Sequence, residues 1–178
     1  MEYGFNNITF ENLKLVFDWR NQKYIRDVMY NNQEITWEEH INWFNQLQNN
    51  SVKMTKIFKI NNEPLGVLNI SKIDRFSNKC EWGFYIGASN IPKGIGKLFG
   101  YAALNYIFTD LGIRKIGAEV IGTNMISRKF HENLGFHLDG ILRQNLYRDS
   151  KYLDVYIYSI FQDEWDVQKK IVKQQLNI

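Results

Sequence analysis

The sequence has little cysteine and little proline: one Cys80, and Pro64 and Pro92, in 178 residues. A lone thiol excludes an internal disulfide and fits a reducing compartment. Long apolar runs are missing too. No stretch approaches the ~20 residues needed to cross a bilayer. The opening Met1-Glu2-Tyr3-Gly4-Phe5 has neither the basic start nor the apolar core of a signal peptide. Histidine is scarce, and His40, His131 and His137 lack ligand spacing, so no metal site is expected. The 22 basic and 19 acidic residues are too evenly balanced for a nucleic-acid-binding stripe. These absences point to a cytoplasmic protein with no membrane or nucleic-acid partner. They leave open a local site for a small anion, and homodimer formation.

What is present suits a packed core: 44% of residues are hydrophobic and 15% aromatic. With no repeat or linker-like tract, residues 1–178 read as one domain, with 164–178 as a C-terminal helical extension. Strands are expected at Tyr3–Phe10, near Lys56–Ile60, and at Leu65–Ile73, Cys80–Ile86, Lys115–Ile121, Phe136–Leu142 and Leu153–Phe161. Helices are expected at Leu13–Trp19, around Ile25–Met29, at Thr36–Gln48 behind the capping box Thr36-Trp37-Glu38-Glu39, at Lys97–Leu111, and at Met125–Asn133 closed by Gly135. The tail from Glu164 reads as a polar helix with Val167, Ile171 and Val172 inward. The class is α/β, with a mixed sheet and helices on both faces.

Pro92-Lys93-Gly94-Ile95-Gly96-Lys97 lies between a strand and a helix start. Unpaired backbone N–H groups at such a start attract anions. Gly94 and Gly96 let a pyrophosphate approach closely, and Lys93 and Lys97 add charge. The same residues also suit an ordinary turn. A Walker loop would require glycine at Ile91 and serine or threonine at Leu98. A Rossmann fingerprint requires its glycines directly after the strand, where Ala88 to Lys93 intervene.

Lys93-Gly94-Ile95-Gly96-Lys97 resembles the acetyl-CoA pyrophosphate loop of the GNAT acetyltransferases. Glu81–Gly87 resembles that family's central strand, and Asn124–Phe136 its second signature. The likeness spans about Thr9 to Phe161, and Ile91 departs from it by standing where arginine or glutamine is usual. It implies a GNAT-like, mostly antiparallel mixed sheet and direct transfer from acetyl-CoA to an amine. The implied cofactor contacts are Tyr85, Ile86, Lys93, Gly94, Ile95, Gly96, Lys97, Asn124, Ser127, Lys129 and Phe130.

Amide formation from a thioester needs a neutral amine and a protonated leaving thiolate. His131 occupies the place of the family's tyrosine beside the cofactor sulfur, and imidazole can donate a proton near neutrality. The alternative is a packing residue near Gly135. Glu81 is a candidate base acting through water, or else a solvated strand carboxylate; Glu119 is a weaker one. Cys80 reads as a small core residue.

On the N-terminal helices, Trp19-Arg20-Asn21, Arg26, His40 and Trp43 place rings beside guanidinium groups, a pairing that suits nucleotides. The tryptophans equally suit a helix core. The segment resembles the acetyltransferases of bacterial pseudaminic acid synthesis, which act on the 4-amine of a UDP-linked amino sugar. Arg20, Asn21, Arg26, His40 and Trp43 are then acceptor contacts. Ribosomal-protein N-terminal acetyltransferases share the general pattern, so a protein acceptor is the competing expectation. A non-catalytic acetyl-CoA sensor is a third.

Overall fold

The structure is a computed structural model describing residues 2–178. Among the described residues there are seven strands and six α-helices, and they group into two compact units. The first comprises the chain up to Ile73 together with Trp82–Pro92; the second comprises Asp74–Glu81 and Lys93–Ile178.

The first unit begins with β1 (Tyr3–Asn7), followed by a 3-10 turn at Phe10–Asn12. Next come α1 (Leu13–Arg20), α2 (Lys23–Arg26) and α3 (Trp37–Gln48). β2 (Met54–Ile60) and β3 (Glu63–Asp74) form a hairpin, with β1 antiparallel to β2. Its two-residue loop, Asn61-Asn62, has φ of 48° and 70°, the mirror-image turn that matches strand twist. β3 is flanked by β4 (Lys79–Ile86). The predicted capping box is formed: the Glu39 amide donates to Thr36 Oγ1, and the Thr36 amide donates to Glu39 Oε2 at 2.6 Å. Leu13, Val16, Trp19 and Ile25 bury one face of α1 and α2 with Ile57, Val67 and Tyr85. Such burial stabilises by roughly 1.5–3 kcal/mol per large side chain.

In the second unit the strand order is β4, β5 (Lys115–Ile121), β7 (Lys151–Phe161), β6 (His137–Arg148). Lys79, Cys80 and Glu81 pair in parallel with β5; the β5–β7 and β6–β7 pairs are antiparallel. The expected mixed, mostly antiparallel α/β class is what the strands form. α4 (Ile95–Asn105) ends in a π-helical turn, Tyr106–Asp110. α5 (Met125–Asn133) closes as the sequence suggests. The Phe136 amide reaches the His131 carbonyl, the Gly135 amide reaches that of Glu132, and Gly135 has φ 90°.

Several expectations need correction. β1 ends at Asn7, and Phe10 opens the 3-10 turn; α2 ends at Arg26, so Val28 and Met29 lie outside it; and α4 starts at Ile95 rather than Lys97. β6 runs to Arg148 rather than Leu142, turning at Asp149-Ser150 with both φ positive. Without glycine that turn carries no strong sequence signal. In α6 (Gln162–Leu176) Trp165 and Val172 are buried, whereas Val167 and Ile171 are 67% and 46% exposed. The Trp165 indole, donating to Asn105 Oδ1 at 2.9 Å, fixes the rotation of the helix.

Candidate functional site

In the second unit, Gly94 caps α4 with φ 94°, a left-handed conformation that an L side chain would strain. The first intrahelical bond runs from the Leu98 amide to the Gly94 carbonyl. The Ile95, Gly96 and Lys97 amides therefore precede any intrahelical acceptor, and no side chain caps them. Lys93 is exposed, while Lys97 Nζ is held by Gln175 Oε1 at 2.9 Å. Two turns in, a Cβ on Gly100 would stand 2.7 Å from Leu134 Cδ1 and Phe130 Cζ, so this glycine sets the packing of α4 on α5. Phe130 is thus half-buried in that contact. Asn124 caps α5 by accepting from the Ser127 amide at 3.0 Å, and Lys129 is exposed.

His131 does not suit the acid role expected of it. It is 5% exposed, its Nδ1–H donates to the Ser127 carbonyl at 2.7 Å, and its ring lies against Phe136 and Tyr158. Burial lowers its pKa to about 4, outweighing the pull of that carbonyl and of Glu132. A ring held neutral with its N–H tied to the backbone favours the packing role over the acid role. Glu81 is half-buried on β4, its Cγ 3.5 Å from where a Gly117 Cβ would stand; Glu119 is exposed on β5. Burial pushes the Cys80 thiol up to about 12, which leaves it unreactive.

The first unit contains a cavity of about 320 Å³. α1 contributes Val16 and Arg20, and α3 contributes Glu39, His40 and Trp43; Met29, Ile35, Asn69 and Tyr85 complete the lining. Arg20 donates through Nη2 to the Asn31 carbonyl at 2.7 Å. Its Nη1 is buried with no hydrogen-bond partner among the described residues, and burial lowers its pKa. Asn69 Oδ1 accepts from Thr55 Oγ1 at 2.8 Å, and its amide nitrogen is a donor. Tyr85 is kept protonated by burial, which raises its pKa well above normal despite nearby Arg20. His40 donates Nε2–H to the Leu13 carbonyl at 3.0 Å and stacks on Trp43 at 5.0 Å; burial lowers its pKa, which favours the neutral ring. The cavity is rich in donors. Its one carboxylate, Glu39, already accepts from Thr36.

Arg20, His40 and Trp43 are brought together as expected. Asn21 and Arg26 are not in the lining and bind main chain instead. Tyr85, expected at the cofactor, lines this cavity, and the Ile86 carbonyl accepts from Tyr24 Oη at 3.3 Å. Asn69 escaped the sequence reading; a lone amide within the apolar run Val67-Leu68-Asn69-Ile70 was its signal.

Among the described residues no helix is long and apolar enough to cross a membrane, and no cluster of metal-ligating side chains occurs. Residues 4–137 match the family described as Acetyltransferase (GNAT) domain. Among relatives, the chain is 27% identical to the uncharacterized N-acetyltransferase p20 of Bacillus licheniformis, over 67% of each chain. It is 26% identical to the acetyltransferase PseH of Campylobacter jejuni, over 75% of this chain and 82% of that one. It is 27% identical to the putative ribosomal N-acetyltransferase YdaF of Bacillus subtilis, over 58% and 57%. Among solved structures, spermidine N-acetyltransferase from Vibrio cholerae, in complex with CoA and spermine, superposes with a TM-score of 0.85 at 19% identity, over 92% of this chain and 97% of that one. With its strand order, glycine-capped α4 and family match, the chain belongs to the GNAT family and is an N-acetyltransferase.

Proposed function

We propose that the protein transfers acetyl from acetyl-CoA to the amine of a UDP-linked 4-amino sugar, the chemistry of nonulosonate synthesis. The cofactor pyrophosphate is assigned to the Ile95, Gly96 and Lys97 amides. The amine attacks the thioester carbonyl directly, and Glu81 is the candidate base acting through water. The leaving thiolate, with an acidity like that of cysteine near 8.5, needs little acid help. That agrees with His131 having no proton to spare.

The observation that carries the acceptor reading is the Arg20 nitrogen, desolvated and unpartnered, in a donor-rich cavity walled by stacked His40 and Trp43. An oxygen-rich, phosphate-bearing acceptor complements it. A polyamine, the acceptor named for the Vibrio cholerae enzyme, would bring cations to the half-buried Arg20 cation. The PseH relative supports the sugar; the YdaF relative keeps a protein N-terminus in competition.

The test is thiol release with a UDP-4-amino sugar, spermidine and a free-N-terminus peptide library at equal concentrations. Turnover of the sugar is expected. Arg20→Ala should raise its KM by one to two powers of ten, since a charge-assisted contact contributes ~1.5–3 kcal/mol. Turnover of peptide or spermidine with no sugar acetylation overturns the acceptor, and no turnover of any of the three overturns it in favour of another amine.

A further inference from the structure

Residues 27–36, between α2 and α3, form no regular helix or strand, yet they supply two walls of the acceptor cavity, Met29 and Ile35. A segment without a ladder must satisfy its backbone groups by other means. Besides Arg20, whose Nη2 holds the Asn31 carbonyl, Asn21 at the end of α1 and Arg26 of α2 satisfy part of it. The Asn21 amide pairs with Ile35 in both directions: Nδ2 donates to the Ile35 carbonyl at 2.9 Å, and the Ile35 amide donates to Oδ1 at 2.9 Å. The side chain thus imitates one residue of a strand. Arg26 engages all three guanidinium nitrogens: Nε on the Asn21 carbonyl at 3.1 Å, Nη1 on the Asn32 carbonyl at 3.3 Å, and Nη2 on Glu34 Oε1 at 3.0 Å. One residue is therefore clamped by the other, and together they hold the segment at residues 32, 34 and 35.

We infer that Asn21 and Arg26 are positioning residues. They never touch the acceptor; they fix the segment that presents Met29 and Ile35 to it, and so set acceptor affinity. The inference rests on the cavity being the acceptor site. It makes specific demands on chemistry. Lysine at 26 cannot serve three acceptors in one plane. Aspartate at 21 keeps the acceptor for the Ile35 amide but opposes the Ile35 carbonyl with a charge.

The experiment measures steady-state kinetics with the UDP-4-amino sugar beside hydrogen exchange at the Ile35 amide, in wild type, Asn21→Ala, Asn21→Asp, Arg26→Ala and Arg26→Lys. The expected result is faster Ile35 exchange, with a roughly ten-fold or greater rise in acceptor KM where the charge-assisted bonds of Arg26 are lost and a smaller rise where the neutral Asn21 pair is. Acetyl-CoA KM should hold, and kcat should change less than KM. The Asn21→Ala/Arg26→Ala pair should cost less than the product of the single effects, because both break one clamp. The conservative variants keep the test decisive if an alanine variant fails to fold. A raised KM with unchanged Ile35 exchange overturns the inference and returns both residues to direct contact. Faster exchange with unchanged KM overturns it from the other side. A wild-type enzyme that turns over no sugar defeats the acceptor reading instead, while Ile35 exchange still reports whether the clamp exists.

Discussion

His40 and His131 are both buried, and each ties one ring nitrogen to a main-chain carbonyl. His131 reaches Ser127, one turn back on its own helix, and its ring is closed in by Phe136 and Tyr158. His40 reaches Leu13, 27 residues away, joining α3 to α1, and its ring stacks on Trp43 in a cavity wall. In both, the carbonyl can only accept, so it dictates which nitrogen carries the proton. A local anchor surrounded by rings holds a core. A long-range anchor beside a cavity holds that cavity's wall. The difference lies in what surrounds the second ring nitrogen, which no sequence position reveals.

The largest effect that would break this comparison concerns His131→Ala. Loss of the buried ring and its hydrogen bond should lower stability by about 2–4 kcal/mol in urea titration. The single-turnover rate of the folded enzyme should stay within about ten-fold of wild type. A rate loss of the 10²–10⁴ attached to general acids, in protein shown to be folded, would restore His131 as the acid.

The pH dependence of stability sharpens it next. The unfolded ring takes a proton near 6.5, whereas His131 in the fold does so only near 4. Above pH 6.5 both states are neutral and this group adds no pH dependence. As pH falls from 6.5 toward 4 the unfolded state binds the extra proton, and stability drops by as much as roughly 3 kcal/mol before levelling off. His131→Gln should flatten that acid limb. An unchanged slope in denaturant midpoints across pH 6.5 to 4 would show that His131 is not held neutral. His40, also lowered by burial, should contribute in the same direction.

How far these differences were legible follows from the kind of signal each residue carries. The Thr36–Glu39 box and the Gly135 helix stop are local chemistry, and they appear where spacing placed them, whereas α4 starts at Ile95, two residues before the expected Lys97, and takes in Gly96. The Asp149-Ser150 turn was not legible, because residues outside glycine and asparagine enter positive φ there only under hairpin pairing. Arg20, Asn21 and Arg26 looked alike as polar groups beside a tryptophan. Tertiary contacts alone separate an arginine nitrogen left bare from an arginine filled with main-chain acceptors. The inward face of α6 was misread for a related reason. Val167 and Ile171 are apolar, but the Trp165–Asn105 bond turns the helix away from them.

The smallest effect is the most discriminating for His40. His40→Phe keeps a flat ring against Trp43 but removes the donor to the Leu13 carbonyl. The Leu13 carbonyl, which opens α1, then keeps only its helical pairing, and the lost hydrogen bond costs about 0.5–1.5 kcal/mol, which calorimetric melting resolves. If His40 works only as His131 does, stability is all that changes. If its remaining ring nitrogen serves the acceptor, sugar KM rises as well, because phenylalanine offers the cavity no acceptor of hydrogen bonds. His40→Gln separates the two contributions. Its amide can present both a donor and an acceptor without an aromatic face, so partial recovery of KM would trace the effect to hydrogen bonding rather than stacking. A His40→Phe enzyme with lowered stability and unaltered sugar KM would place both histidines in the same class and leave Arg20, Asn69 and Tyr85 to read the acceptor.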